Sequence, residues 1–215
     1  LNLPHSCKSG ACGQCKAELI GGEFEMGDHI DKAISAEEKA QGKVLLCCTT
    51  AKSDLKINVP GFNPNALPVR TLPVRIETIE IKHDVALLRL ALPKAPSFPF
   101  YAGQYIDLLL PGNISRSYSI ANSPDQEGVL ELHIRKRENG VCSEMIFGAE
   151  PKIKEKGIVR VKGPLGTFTL QKDSDKPIVL LATGTGYAPI RSILLDLIHQ
   201  NSERQVHFYW GARQQ

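Results

Sequence analysis

Cys7, Cys12 and Cys15 share one short loop, PHSCKSGACGQC, and Cys47 follows later in the apolar stretch KVLLCC. The C-x4-C-x2-C spacing with one distant cysteine is the plant-type [2Fe–2S] ligand pattern. The chemistry to expect is therefore one-electron transfer through iron. Gly10 and Gly13 lie between the loop cysteines. A loop that wraps a cluster must aim its backbone N–H groups at the sulfurs, and glycine permits the left-handed turns this requires. KVLLCC reads as a strand able to shield the far side of the cluster from water.

Other metal chemistries fit less well. A C-x2-C pair alone suits half a zinc site or a redox pair. A second zinc pair would have to be the adjacent Cys47 and Cys48, whose geometry suits one metal poorly. His5 and His29 lie near the loop, but the chain has no Rieske pattern. A disulfide framework is not expected in a chain of this length with no visible signal peptide.

The elements that must hold such a centre come next. At 215 residues the chain is long enough for one large domain or two small ones, and 42% hydrophobic with 23% charged residues is ordinary for a globular protein. A net charge of +3 is too mild to point to nucleic acid, and no apolar run reaches the length of a membrane span. Free cysteines suggest a reducing cytoplasm. The chain opens on Leu1 rather than Met and stops at Gln215 just past an apolar strand, so a fragment of a longer protein is expected.

Residues 1–64 form a first unit, with Ser35 and Glu38 as a capping box opening a short helix and Gly42 as its stop. Residues 65–72 read as a linker. From 73 to 173 six short segments alternate with turns: PVRIETIEI, VALLRLAL, GQYIDLLL, RSYSIAN, VLELHIR and GIVRVKG. Together they predict an antiparallel barrel, with a short helix at SEMIFG. Residues 174–215 change character. PIVLLA, a glycine turn, the helix IRSILLDLIHQ and the strand QVHFYWGA make a β-α-β unit. Tyr209 and Trp210 are expected in its core.

In this order PHSCKSGACGQC, GQY, RSYS, NGVCS, GPLGTF and LLATGTGYAP make the chain resemble the ferredoxin–NADP reductase superfamily. Within it, the likeness is to reductases carrying an N-terminal plant-type ferredoxin domain. The resemblance implies a multidomain α+β, β and α/β chain. It would comprise a partial β-grasp ferredoxin domain, a Greek-key FAD-binding barrel and the start of a Rossmann-like NAD(P)-binding domain. Related chains read L-x-C-Q at the fourth ligand, which makes Cys47 the ligand and leaves Cys48 in the glutamine place.

The same resemblance assigns roles. Arg116 would contact a flavin phosphate, Tyr118 would stack on the isoalloxazine and Ser119 would hydrogen-bond near N5. Gly140, Val141, Cys142 and Ser143 would present a helix N-terminus to the flavin pyrophosphate, although a plain N-cap explains Ser143 equally. His133, on a barrel strand whose neighbours would line the ribityl chain, is counted with the cofactor residues. Gly184, Thr185, Gly186 and Pro189 would hold the NAD(P)H pyrophosphate between strand and helix. GPLGTF is read as a structural turn packing against the neighbouring domain, and Arg213 as a candidate adenosine-ribose contact.

The cofactors implied are a [2Fe–2S] cluster, FAD and NAD(P)H, and the partner an electron-acceptor protein. RSYSIANSP, LELHIR, GPLGTF and FYWGAR look most like the CDP-6-deoxy-glucoseen reductases, whose acceptor is a deoxysugar dehydratase. Reductase components of bacterial oxygenases share the plan. A ferredoxin-like carrier without flavin and a zinc-organised scaffold are the non-enzyme readings.

Overall fold

The computed structural model describes residues 3–5, 7–60, 62, 67–171 and 174–211. They fall into two compact units, Leu1–Ala66 and Leu67–Gln215.

The first unit contains β1 (Lys16–Gly21), β2 (Phe24–Met26), α1 (Ala36–Ala40), β3 (Lys43–Leu45), β4 (Thr49–Ala51) and β5 (Lys56–Asn58). Strand β1 lies between β3 and β5, and β2 pairs with β4, antiparallel in each case. The predicted capping box is present: Glu38 N–H donates to Ser35 Oγ at 3.2 Å, and Ser35 N–H donates to the Glu38 carboxylate at 2.9 Å. Lys16 Nζ donates to the same carboxylate at 2.8 Å and, with the Ser35 bond, holds it down at about 2. Cys15, Ala33, Ile34 and Leu45 form a small core. One expectation changes here. Cys47 is on a turn rather than a strand, because β3 ends at Leu45 and Cys48 N–H closes back on Leu45 O at 2.9 Å. A continued strand would point Cys47 the same way as buried Leu45.

The second unit opens with β6 (Arg70–Lys82), β7 (Val85–Ala91), β8 (Tyr105–Leu110), β9 (Ile114–Ser119), β10 (Val129–Arg135), α2 (Val141–Phe147) and β11 (Ile158–Leu165). The six strands form one antiparallel sheet, ordered β10-β7-β6-β11-β8-β9. Its ends meet where Ile120 bridges Leu132 and Ala121 N–H donates to Glu131 O at 2.8 Å, so the sheet curls into a barrel. Alternate residues point inward, and Leu88, Leu90, Ile106, Leu108, Leu130 and Leu132 have no solvent exposure. Each such side chain contributes about 1.5–3 kcal/mol by burial. Strand β6 begins at Arg70, inside the stretch read as linker. Its Pro73 pairs with Arg160 of β11 at a point where β7 is no longer alongside.

The chain then runs through β12 (Ile178–Thr183), a 3-10 turn at Gly184–Gly186, α3 (Tyr187–His199) and β13 (Val206–Gly211), with β12 and β13 parallel. Ile178, Leu180 and Ala182 of β12 pack with Ile190, Ile193 and Leu197 of α3. Only one face of the strand pair is covered. Tyr209, on the face away from α3, is 60% exposed, and Trp210, at the end of the α3 face and stacked on Tyr187, is 55% exposed, against the expectation of core residues. The GPLGTF turn packs on its own barrel, where the expectation was the neighbouring domain. Gly166, at φ +91°, lies against the Tyr105 ring, and a Cβ on Gly103 would collide with the Phe168 carbonyl. Among the described residues no helix is long and apolar enough to cross a membrane.

Candidate functional site: a cysteine loop, a barrel strand and a nucleotide turn

The loop around the first three cysteines turns at Gly10 and Gly13, where φ is +68° and +71°. At Gly10 a Cβ would lie 2.7 Å from Cys48 Sγ and 2.8 Å from the Asp28 carbonyl, so only glycine fits. That turn brings the N–H groups of Ser9 and Ala11 to 3.5 and 3.4 Å from Cys7 Sγ. Those bonds, Ser9's foremost, hold the Cys7 thiol down at about 6, which favours the thiolate a metal needs. Burial pushes Cys15 the other way, up to about 11.

Cys15 Sγ lies 3.3 Å from Cys47 Sγ, and Cys7 and Cys12 lie beside each other in the loop. Two irons need two thiolates each, which Cys7 with Cys12 and Cys15 with Cys47 would supply, so the donor set fits a [2Fe–2S] cluster. Cys48 Sγ, 3.5 Å from Cys47 Sγ, is the nearest remaining thiol.

The barrel brings the two flavin motifs together. Tyr118, on β9 opposite Ile106 of β8, is half-buried and lies near Cys142 in the first turn of α2. Burial raises both groups above their ordinary values, so both are neutral. Arg116 lies close enough to lower both and uses Nη1 to donate to Ser115 O at 2.8 Å. Ser119 ends β9 opposite Tyr105.

Gly140 is the N-cap of α2, with no side-chain cap bond, and Val141 is the first helical residue. The N-terminal N–H groups are thus not taken by a capping side chain. Ser143 is not the N-cap. It sits inside the helix, buried, and its Oγ accepts the Arg137 N–H at 2.8 Å. Cys142 is likewise buried, which leaves its backbone rather than its thiol for an outside ligand. His133 on β10 is held by Glu131, with Nε2 2.9 Å from Oε1. It therefore carries its proton on Nε2, since a carboxylate only accepts.

The nucleotide turn is built at the end of β12. Gly184 adopts φ +51°, and Trp210 Nε1–H donates to its carbonyl at 3.1 Å. Tyr187, first in α3, stacks on Trp210 with ring centres 4.8 Å apart, and Pro189 occupies the first helical turn, where a missing N–H costs nothing. Gly184–Gly186 and the start of α3 thus present the strand–turn–helix geometry that receives a pyrophosphate. Arg213 lies outside the described residues.

Residues that motif reading passed over join the last two regions. Arg191 Nη1 donates to Ala121 O at 2.7 Å and lies 3.2 Å from Glu131 Oε1, and Ser192 Oγ donates to Asn122 O at 2.7 Å. Nothing in the sequence marks them, because their partners are 70 positions away.

This architecture defines an oxidoreductase chain that couples an iron–sulfur domain to flavin- and nicotinamide-binding domains. Three family patterns match: a 2Fe-2S iron-sulfur cluster binding domain at 1–52, an oxidoreductase FAD-binding domain at 73–170 and an oxidoreductase NAD-binding domain at 180–215. The chain belongs to the ferredoxin–NADP reductase superfamily, among the iron-sulfur flavoprotein reductases with an N-terminal plant-type ferredoxin domain. It is 44% identical over 214 residues to the CDP-6-deoxy-L-threo-D-glycero-4-hexulose-3-dehydrase reductase of Yersinia pestis, covering 98% of this chain and 63% of that protein. It is 35% identical to terephthalate 1,2-dioxygenase reductase component 1 of Comamonas sp., covering 99% of this chain and 62% of that protein. The crystal structure of an Amycolatopsis cytochrome P450 reductase superposes with a TM-score of 0.79 at 33% identity, over 99% of this chain and 64% of the other. The chain thus spans somewhat under two thirds of these relatives.

Proposed function

We propose that the protein of which this chain is part is an NAD(P)H-dependent reductase that delivers electrons one at a time to a protein acceptor, with a CDP-6-deoxyhexulose dehydrase as that acceptor. When bound, FAD takes up a hydride and releases electrons singly, and the [2Fe–2S] cluster carries them onward. The chain's own residues supply placement and electrostatics. Cys7, Cys12, Cys15 and Cys47 hold the irons in pairs. Arg116 would neutralise a flavin phosphate, Tyr118 would stack on the isoalloxazine, Ser119 would hydrogen-bond near N5, and His133 would sit on the barrel strand whose neighbours line the ribityl chain. The N–H groups of Val141, Cys142 and Ser143 at the start of α2 would receive the flavin pyrophosphate, with Gly140, whose own N–H donates to Arg137 O at 3.1 Å, shaping the approach. Gly184, Thr185, Gly186 and Pro189 shape the nicotinamide-nucleotide turn. In this reading the working modules are 1–64, 73–173 and 174–215, joined by 65–72.

The observation that carries the reading is the pairing of Cys15 with Cys47 in a chain whose next module places Tyr118 against Cys142. The identity to a dehydrase reductase, higher than to the oxygenase component, favours the sugar-modifying acceptor. All six cysteines are unpaired, which favours the cytoplasm. The test is reconstitution of the full-length protein with iron, sulfide and FAD, followed by NADH- or NADPH-driven reduction of two purified acceptors, a CDP-6-deoxyhexulose dehydrase and an oxygenase. Reduction of the dehydrase is expected. Reduction of the oxygenase alone transfers the protein to the oxygenase reductases, and a colourless protein rejects the reading altogether.

A further inference from the structure

Two consecutive residues of α3 grip two consecutive carbonyls of the barrel. Arg191 Nη1 donates to Ala121 O and Ser192 Oγ to Asn122 O, both at 2.7 Å. The receiving segment is itself rigid. Asn122 is 1% exposed, and its Oδ1 accepts the Glu131 N–H at 2.8 Å while its Nδ2 donates to Val129 O at 3.1 Å. Glu131 closes the ring, since its Oε1 lies 3.2 Å from Arg191 Nη1 and 2.9 Å from His133 Nε2. Ser192 has no solvent exposure, so water cannot replace its bond.

The place of this clamp gives it meaning. Ala121 lies two residues past Ser119, at the end of the RSYS strand, and α3 starts directly after Gly186. A single contact would leave α3 free to rotate on the barrel. Two adjacent contacts and an ion pair fix both its distance and its angle.

We infer that Arg191 and Ser192 are positioning residues for hydride transfer, holding the nicotinamide-binding turn in register with the flavin-binding strand; this rests on the function proposed above. Transfer needs the reacting atoms about 3–3.5 Å apart, and a misplacement of about 1 Å costs on the order of 10²-fold in rate. Arg191 and Ser192 spend these bonds on protein groups, Ala121 O, Asn122 O and the Glu131 carboxylate. Loss of the clamp is therefore expected to slow the transfer step more than it weakens flavin binding.

The experiment uses the full-length protein reconstituted with FAD and cluster, as wild type and as Arg191→Ala, Arg191→Lys and Ser192→Ala. Flavin reduction is followed by stopped flow at saturating NADH or NADPH, and again with dithionite, which needs no docking. Arg191→Ala is expected to slow nicotinamide-driven reduction by about 10- to 100-fold at saturation. Its FAD content and dithionite rate should match the wild type. Arg191→Lys should recover part of the rate, because it keeps the charge but not the fork. Ser192→Ala should slow the step less than Arg191→Ala, and it carries the test if Arg191→Ala does not fold. A wild-type rate at saturation in the folded variants overturns the inference, as does a loss of FAD or dithionite rate in parallel with the nicotinamide rate. A wild type that holds FAD yet is reduced by neither nicotinamide overturns the proposed function itself, and the inference with it.

Discussion

The Sγ atoms of Cys15 and Cys47 lie 3.3 Å apart although 32 positions separate them in the chain. Two features produce that contact. Leu46 N–H donates to Cys15 O at 3.0 Å, and the turn after β3 swings Cys47 away from the direction Leu45 takes. The first prediction follows from the pairing. Serine at Cys7, Cys12, Cys15 or Cys47 should each abolish the cluster, seen as loss of iron, acid-labile sulfide and visible circular dichroism. Cys48→Ser and Cys142→Ser should retain it. A Cys47→Ser protein with full iron, beside a Cys48→Ser protein with none, would move the fourth ligand to Cys48.

Arg116 should control how tightly FAD is held. Arg116→Ala removes a charged hydrogen-bond donor, worth about 1.5–3 kcal/mol, and is expected to weaken FAD binding by about 10- to 100-fold. Equilibrium dialysis or flavin fluorescence quenching measures it. Unaltered FAD affinity in this variant would remove Arg116 from the flavin site.

Gly184 holds a left-handed φ of +51° at the nucleotide turn. Alanine there should cost about 1–2 kcal/mol of backbone strain. The strained turn is expected to relax in the free protein, and restoring it on binding would raise the nicotinamide dissociation constant by up to roughly tenfold, with FAD content unaltered. Titration of the oxidised protein with an unreactive nicotinamide analogue gives the constant directly.

Glu131 carries a pH signature. Its hydrogen bond with His133, then the Arg191 charge, lowers its carboxyl below the ordinary value. A depressed folded-state value stabilises the folded protein above the unfolded value of about 4.3. That contribution disappears as pH falls through the folded value. Glu131→Gln should therefore lower urea stability at pH 7 and flatten the acid side of the stability curve. Fluorescence of Trp210, the single tryptophan of this chain, reports on the nucleotide element where the clamp attaches. Parallel acid limbs for wild type and variant would show that the carboxylate carries no such linkage.

Much of this protein was legible from local signals. The capping box at Ser35 and Glu38, the barrel strands and the β-α-β unit are short-range patterns, and each appears in place. Cys47 was misplaced onto a strand because apolar character runs on through KVLLCC while the backbone turns after Leu45. Tyr209 and Trp210 read as core because aromatic strand residues usually are. Tyr209 faces away from α3, and Trp210 lies at the end of the covered face against the Tyr187 ring.

The sequence by itself determined the iron–sulfur ligand spacing, which residue type and order set directly, and through its ordered resemblance to a reductase family it pointed to flavin and nicotinamide. Only the tertiary structure decided which sulfurs pair, that Tyr118 meets Cys142, and that Arg191 and Ser192 clasp Ala121 and Asn122. The physical reason is that an acceptor carbonyl belongs to every residue alike. Which carbonyl a distant donor finds depends on how strands and helix pack, and packing leaves no mark at either position.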